Sequence, residues 1–120
     1  IAPFLFLVAE SPRSDAFTAG VLFGLPYFFG TQYWIYYSIN HYGHLNLPAS
    51  VAVVFLLCLY ESLYTGIFAL VLNYVSKRTA LPLVLTASTL WVCLEYARGF
   101  ILTGFPWSLL GYSQYRSLPL

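Results

Sequence analysis

Three long stretches of the chain are apolar almost without interruption, running from about Ala16 to Tyr37, Ala49 to Val75 and Leu81 to Thr103. Crossing about 30 Å of hydrocarbon at a rise of about 1.5 Å per residue takes roughly 20 residues, so each stretch is predicted to be a transmembrane helix. Residues Ile1 to Ala9 form a fourth apolar piece, too short to span alone, and are expected to be the end of an earlier helix. Polar residues gather between the stretches. Glu10 to Asp15 is charged and contains Pro12, Ser76 to Ala80 carries Lys77 and Arg78, and Ile39 to Pro48 has neither Lys nor Arg. The expected class is all-α, an integral membrane helical bundle with about three full spans (residues 16–37, 49–75 and 81–103).

Composition agrees with that pattern. Of 120 residues, 60% are hydrophobic, 20% aromatic and 8% charged, whereas a soluble domain carries about a quarter charged residues to cover its surface. The net charge of +1 comes without a cluster of Lys and Arg able to displace counterions from a phosphate backbone, which excludes nucleic acid as a partner. Cys58 and Cys93 each sit in an apolar run, where a thiol behaves as a small hydrophobe. His41 and His44 share one loop with no acidic or Cys partner near them, so neither a metal nor a cofactor is expected. The chain begins at Ile1 and contains no methionine, and it reads as a partial transmembrane domain over residues 1–120. Its first residues lack the basic n-region and the small-residue cleavage site of a signal peptide.

Orientation follows from the loops. Arg13, Lys77 and Arg78 mark the cytoplasmic side by the positive-inside rule, which places residues 10–15 and 76–80 inside and residues 39–48 and 104–120 outside. Tyr33, Trp34, Tyr36 and Tyr37 crowd the outer end of the first span, and Trp107 and Tyr112 fall at the same expected depth. Such rings form either an ordinary interfacial belt or an outward-facing rim that binds lipid. Within the first span Ala16, Gly20 and Gly24 recur every four residues, a small-residue face that predicts close packing against a second helix. Pro26 cannot donate to the Leu22 carbonyl and predicts a kink.

A few residues are out of place in hydrocarbon. Glu61 lies near the middle of the second span, where a carboxylate costs about 2.5 to 3.5 kcal/mol on insertion scales. It is either a proton or substrate site, or a group hydrogen-bonded to a neighbouring helix through Tyr or Ser. Glu95 and Arg98 are spaced to share a face of the third span, with Trp91 a turn back on that stripe. By rise per residue they lie about 12 Å and 8 Å below its outer end, so the guanidinium is expected to snorkel outward. The pair either neutralises itself locally or orients a loop or a lipid headgroup. The third span is expected to stop at Thr103-Gly104-Phe105-Pro106-Trp107, because Gly suits the position that closes a helix and Pro forces the preceding residue to extend. Residues 104–120 are then too short to cross again and are expected to lie in the interface or re-enter the bundle.

The run Thr103-Gly-Phe-Pro-Trp-Ser-Leu-Leu-Gly-Tyr-Ser-Gln114, preceded by Trp91, Glu95 and Arg98-Gly99, closely resembles the membrane domain of bacterial apolipoprotein N-acyltransferases. Earlier pieces follow in the same order: Gly20 through Gly24 to Phe28, Gly30 and Trp34-Ile35, then Tyr42-Gly43, then Leu63-Tyr-Thr-Gly-Ile-Phe68. Glu61 and Pro26 depart from that pattern. The resemblance implies a bundle of about eight membrane helices in the bacterial inner membrane, with a nitrilase-like domain on the periplasmic side. It further implies a Glu, Lys and Cys triad on that domain, none of which maps onto this chain, so neither Cys58 nor Cys93 is the nucleophile. The implied reaction moves an acyl chain from a phospholipid to a cysteine thioester and on to the amino-terminal diacylglyceryl cysteine of an apolipoprotein. Its partners are thus a phospholipid donor, an apolipoprotein acceptor and the bilayer, with no cofactor. On this chain the resemblance assigns a scaffold and a lipid-access rim made of Phe105, Trp107 and Tyr112. Glu95 and Arg98 fix the loop, and Gly104 and Pro106 shape it. The competing class is a non-enzymatic membrane protein, either a transporter using Glu61 and Glu95 along a polar path or a structural helix bundle.

Overall fold

The computed structural model describes residues 2–101. It is helical throughout, with α1 (Ala2–Glu10), α2 (Arg13–Gln32), α3 (Trp34–His41), α4 (Leu47–Ser76) and α5 (Leu83–Arg98), and no strand occurs among the described residues. The all-α class is as expected, but the spans differ from the sequence pattern. By length and composition, α4 alone among the described helices is long and apolar enough to cross a membrane. The stretch from Ala16 to Tyr37 is not one helix, since α2 closes at Gln32 and α3 opens at Trp34. Tyr33 keeps helical torsions (φ −54°, ψ −28°), yet its carbonyl accepts from Tyr36 N at 3.2 Å, a tighter i to i+3 turn that breaks the regular ladder. The third stretch is shorter than expected. α5 holds 16 residues, about 24 Å, and stops at Arg98, while the end foreseen at Thr103 lies outside the described residues.

α4 is the axis on which the other elements pack. Its start is fixed by Asn46, extended at φ −66° and ψ 158°, whose side chain accepts from Ala49 N at 3.1 Å. Pro48 follows in the first turn, where a missing N–H costs no intrahelical bond. From there α4 runs 30 residues, about 45 Å, to Ser76.

The face of α2 against α4 is built from residues four apart: Ala16, Gly20, Gly24, Phe28 and Gln32 are all buried. Glycine is required at two of them because the helices nearly touch. A Cβ on Gly20 would collide with the Thr65 carbonyl and would sit 2.8 Å from Gly66 Cα, and one on Gly24 would collide with Thr65 Oγ1. The closeness brings Thr65 Oγ1 to 2.9 Å from the Gly20 carbonyl, a hydrogen bond between helices. The predicted small-residue face is thus the main helix contact of the structure. Pro26 sits on the exposed side of α2, away from that contact, and the helix continues past it to Gln32.

Two apolar clusters fill the remaining interior. Val8, Ala16, Phe68, Ala69, Leu72 and Ala87 join α1, α2, α4 and α5, and Phe28, Val54 and Cys58 join α2 to the first half of α4. Beside them the interior is polar to an unusual degree, with Gln32, Ser50, Glu61, Ser62, Thr65, Asn73, Thr86 and Arg98 all buried. Large apolar side chains such as Phe6, Leu22, Leu56, Val84, Leu85 and Val92 are meanwhile exposed. That is the reverse of a water-soluble domain.

Candidate functional site

The polar interior converges on Glu61. It lies near the midpoint of α4, is fully buried, and faces the C-terminal ends of both α2 and α5. Arg98, the last residue of α5, places Nη1 3.3 Å from Glu61 Oε1, and Gln32, the last residue of α2, donates from Nε2 to Glu61 Oε2. One carboxylate therefore ties three helices together, with each of its oxygens engaged by a different helix. Arg98 also lies over the Phe28 ring, its guanidinium carbon 5.7 Å from the centroid. Only 5% of its side chain is exposed, so the expected snorkelling does not occur. The reason is electrostatic: Glu61 offers a counter-charge inside the bundle, and α5 ends at the level of Glu61.

Beside Arg98 is a cavity of about 20 Å³, room for one water-sized molecule. It is lined by Arg98 and Glu95 at the polar end, Tyr64 and Thr65 at the side, and Phe28, Phe68, Trp91 and Leu94 elsewhere. Trp91 stands edge-on to Phe68, with ring centroids 5.2 Å apart. Its Nε1 is buried and has no hydrogen-bond partner among the described residues. On the other side of Trp91 and Phe68 opens a wider apolar crevice lined also by Phe4, Phe23, Tyr27 and Val92. Glu95, Arg98 and Trp91 thus share a lining, as their spacing implies, but the guanidinium pairs with Glu61 across helices.

Comparison with known proteins decides the family. The chain matches over residues 1–120 the model of the apolipoprotein N-acyltransferase N-terminal domain. The chain belongs to this family. It is similar to the apolipoprotein N-acyltransferase of Geobacter metallireducens, with 40% identity over 119 residues, 99% of this chain and 23% of that protein. The proteins of the same name from Vibrio parahaemolyticus (35% identity, 94% of this chain and 23% of that protein) and Coxiella burnetii (36% identity, 85% and 21%) are similar too. The chain spans less than a quarter of the length of these relatives.

Of the residues singled out from the apolipoprotein N-acyltransferase resemblance, Glu95 and Arg98 fall on the last turn of α5. Phe105, Trp107 and Tyr112, with the loop-shaping Gly104 and Pro106, lie outside the described residues. Gln32 is the site residue that the sequence reading missed. The signal was present, since continuing the Ala16, Gly20, Gly24 spacing through Phe28 puts Gln32 on the packed face. Glu61 finds its partners on neighbouring helices, but they are Gln32 and Arg98 in place of Tyr or Ser. Cys58 is buried against Phe28 and Val54, and Cys93 is exposed on α5; both are free thiols.

Proposed function

We propose that the full-length protein is an apolipoprotein N-acyltransferase of the bacterial inner membrane and that this chain is its membrane scaffold and lipid-access surface. In the proposed reaction a cysteine thiolate outside this chain attacks an acyl ester of a phospholipid, giving a thioester and a lysophospholipid. The α-amino group of an apolipoprotein's diacylglyceryl cysteine then attacks the thioester, forming the amide and returning the thiol. The family match over the whole chain carries this reading. The buried Glu61–Arg98 pair supports the scaffold role, because it fixes the end of α5, from which residues 99–120 depart. In this reading residues 10–15 and 76–80 face the cytoplasm and residues 39–48 and 104–120 the periplasm, with Phe105, Trp107 and Tyr112 as the rim and Glu95 and Arg98 holding it.

A glutamate with both oxygens engaged, one by a guanidinium, is a clamp and not an open station on a transport path, which favours the enzyme scaffold over the transporter. The test is acyl transfer to a diacylglyceryl lipoprotein by the full-length protein in proteoliposomes, followed as the mass gain of one acyl chain. The expected result is transfer that falls at least about tenfold in kcat/KM when Arg98→Leu and Trp107→Ala are combined at equal membrane abundance, a loss of about 1.4 kcal/mol in transition-state stabilisation. No transfer by the unaltered protein overturns the enzyme reading. Transfer indifferent to both substitutions overturns the role given to the rim.

A further inference from the structure

The Ser76 end of α4 carries a second arrangement that owes nothing to acyl transfer. Tyr74, half-exposed on the last turns of α4, has the guanidinium carbon of Arg13 at 4.8 Å and that of Arg78 at 4.5 Å from its ring centroid. Lys77 stands beside them and donates from Nζ to the Ser11 carbonyl at 2.6 Å. Two of the chain's five cations therefore share one ring, and a third, Lys77, is at the same end of the bundle. Sharing it keeps the two guanidiniums within about a Debye length, roughly 8 to 10 Å, so they repel.

Carboxylates at this end offset part of the repulsion without pairing with the cations. Glu10 and Asp15 are at the same end and exposed, Asp15 accepting from the Ser14 hydroxyl at 2.9 Å, but among the described residues neither is within ion-pair distance of Arg13, Lys77 or Arg78. The start of α2 has Pro12 at its N-cap position with no side-chain cap, and Asp15 in its first turn offsets part of the positive end of that helix. Guanidiniums presented in this way suit the oxygens of a phosphate, which Arg engages through two parallel donors.

Two observations say what the phosphate is attached to. α4 is 30 residues long, about 45 Å, the thickness of a bilayer with its headgroups, so a residue on its last turns lies at headgroup level. Three residues beyond Arg78 begins an apolar groove lined by Leu81, Leu85, Thr86, Thr89 and Leu90, with Leu81 and Leu85 more than half exposed. We propose that Arg13, Arg78 and Lys77 around Tyr74 form a binding site for the phosphate of an anionic phospholipid, one of whose chains runs along the Leu81–Leu90 groove.

The experiment uses the full-length protein in nanodiscs of phosphatidylcholine doped with spin-labelled phosphatidylglycerol or spin-labelled phosphatidylcholine, read as the motionally restricted fraction. Phosphatidylglycerol is expected to be retained about twentyfold better than phosphatidylcholine, with about fivefold lost per arginine removed. The pair Arg13→Gln with Arg78→Gln removes the preference, Arg78→Lys keeps most of it, and raising salt to about 0.5 M erodes it in the unaltered protein. Millimolar inorganic phosphate is expected not to compete, and full competition by it would make the ligand a free anion and overturn the lipid assignment. Equal retention of the two lipids, or a preference that survives the paired substitution, overturns the site itself. If the paired variant does not fold, Arg78→Gln alone and the salt titration give the same decision. None of these readouts needs acyl transfer.

Discussion

Glu61 is the residue on which the interior of this bundle depends. An isolated carboxylate in hydrocarbon is costly, and so is an isolated guanidinium; together, with Gln32 on the second oxygen, they compensate one another, while Gln32 Oε1 stays buried with no partner among the described residues. The consequence is an asymmetry between single and double substitutions. Glu61→Leu leaves Arg98 buried without its counter-charge and should destabilise the protein by about 3 to 5 kcal/mol, whereas Glu61→Leu with Arg98→Leu should recover most of that loss. A double-mutant cycle from denaturant unfolding in mixed micelles measures it, and additive single effects would mean that the two side chains do not interact. Gln32→Leu removes one hydrogen bond to a charged acceptor and should cost about 1.5 to 3 kcal/mol in the same assay. The anomaly of Glu61 was plain in the sequence because a carboxylate interrupts an apolar run. Its partners were not, because they stand 29 residues before it and 37 after it, and only the packing of three helices brings them together.

Among the elements, the α2–α4 contact was the most legible, since a small residue every fourth position has one simple geometric meaning. Its two glycines differ in what they face, and that difference is testable. A Cβ at Gly24 meets the Thr65 side chain first, while a Cβ at Gly20 meets the Thr65 carbonyl and Gly66 Cα, which are backbone. Gly24→Ala should therefore cost about 1 to 3 kcal/mol on its own and clearly less when added to Thr65→Ala, with a remainder from Ser62 Cα at 3.1 Å, while Gly20→Ala should cost at least as much in either background. Unfolding midpoints of the three single and two double variants decide it, and rescue of Gly20→Ala by Thr65→Ala would show that the backbones are further apart than in this structure. Helix ends were less legible. Asn46-Leu47-Pro48 is a readable start signal, and the side-chain cap on Ala49 N explains why α4 begins at Leu47 and not at Ala49. The break at Tyr33 has no such signal, because Tyr33 remains helical in its torsions and only the hydrogen-bond register tightens. The early end of α5 is likewise a tightening of register, with Gly99 N reaching the Tyr96 carbonyl at 3.0 Å and Phe100 N the Ala97 carbonyl at 3.1 Å.

At the scale of the whole molecule, polarity is partly inverted: Gln32, Glu61, Asn73, Arg98 and several hydroxyl side chains are inside beside the apolar clusters, while many leucine, valine and phenylalanine side chains are outside. The inversion fits a lipid environment or further helices, and it explains why hydropathy gave the all-α class while only α4 among the described helices is long and apolar enough to cross a membrane. Apolar composition marks contact with lipid as readily as it marks length. The two charged connections do come together as the loop charges implied. Asn73 Nδ2 donates to the Val8 carbonyl at 2.7 Å and to the Ser11 carbonyl at 2.9 Å, and Lys77 reaches Ser11 as well, so residues 10–15 and 76–80 share one end of the bundle. Residues 42–46 precede the opposite end of α4, about 45 Å away along the helix. With positive charge at the first end and none of the chain's Lys or Arg in residues 39–48, the first end should be cytoplasmic. In a full-length background where Cys58, Cys93 and every cysteine outside this chain are replaced by Ala, a membrane-impermeant maleimide applied to intact spheroplasts should label His44→Cys and spare Thr79→Cys until the membrane is opened. The reverse pattern would invert the orientation and put the Arg13–Tyr74–Arg78 cluster in the outer leaflet. Labelling of both positions from outside would mean that α4 does not cross the bilayer, and the rim assigned to Trp107 would then have no membrane height to be held at.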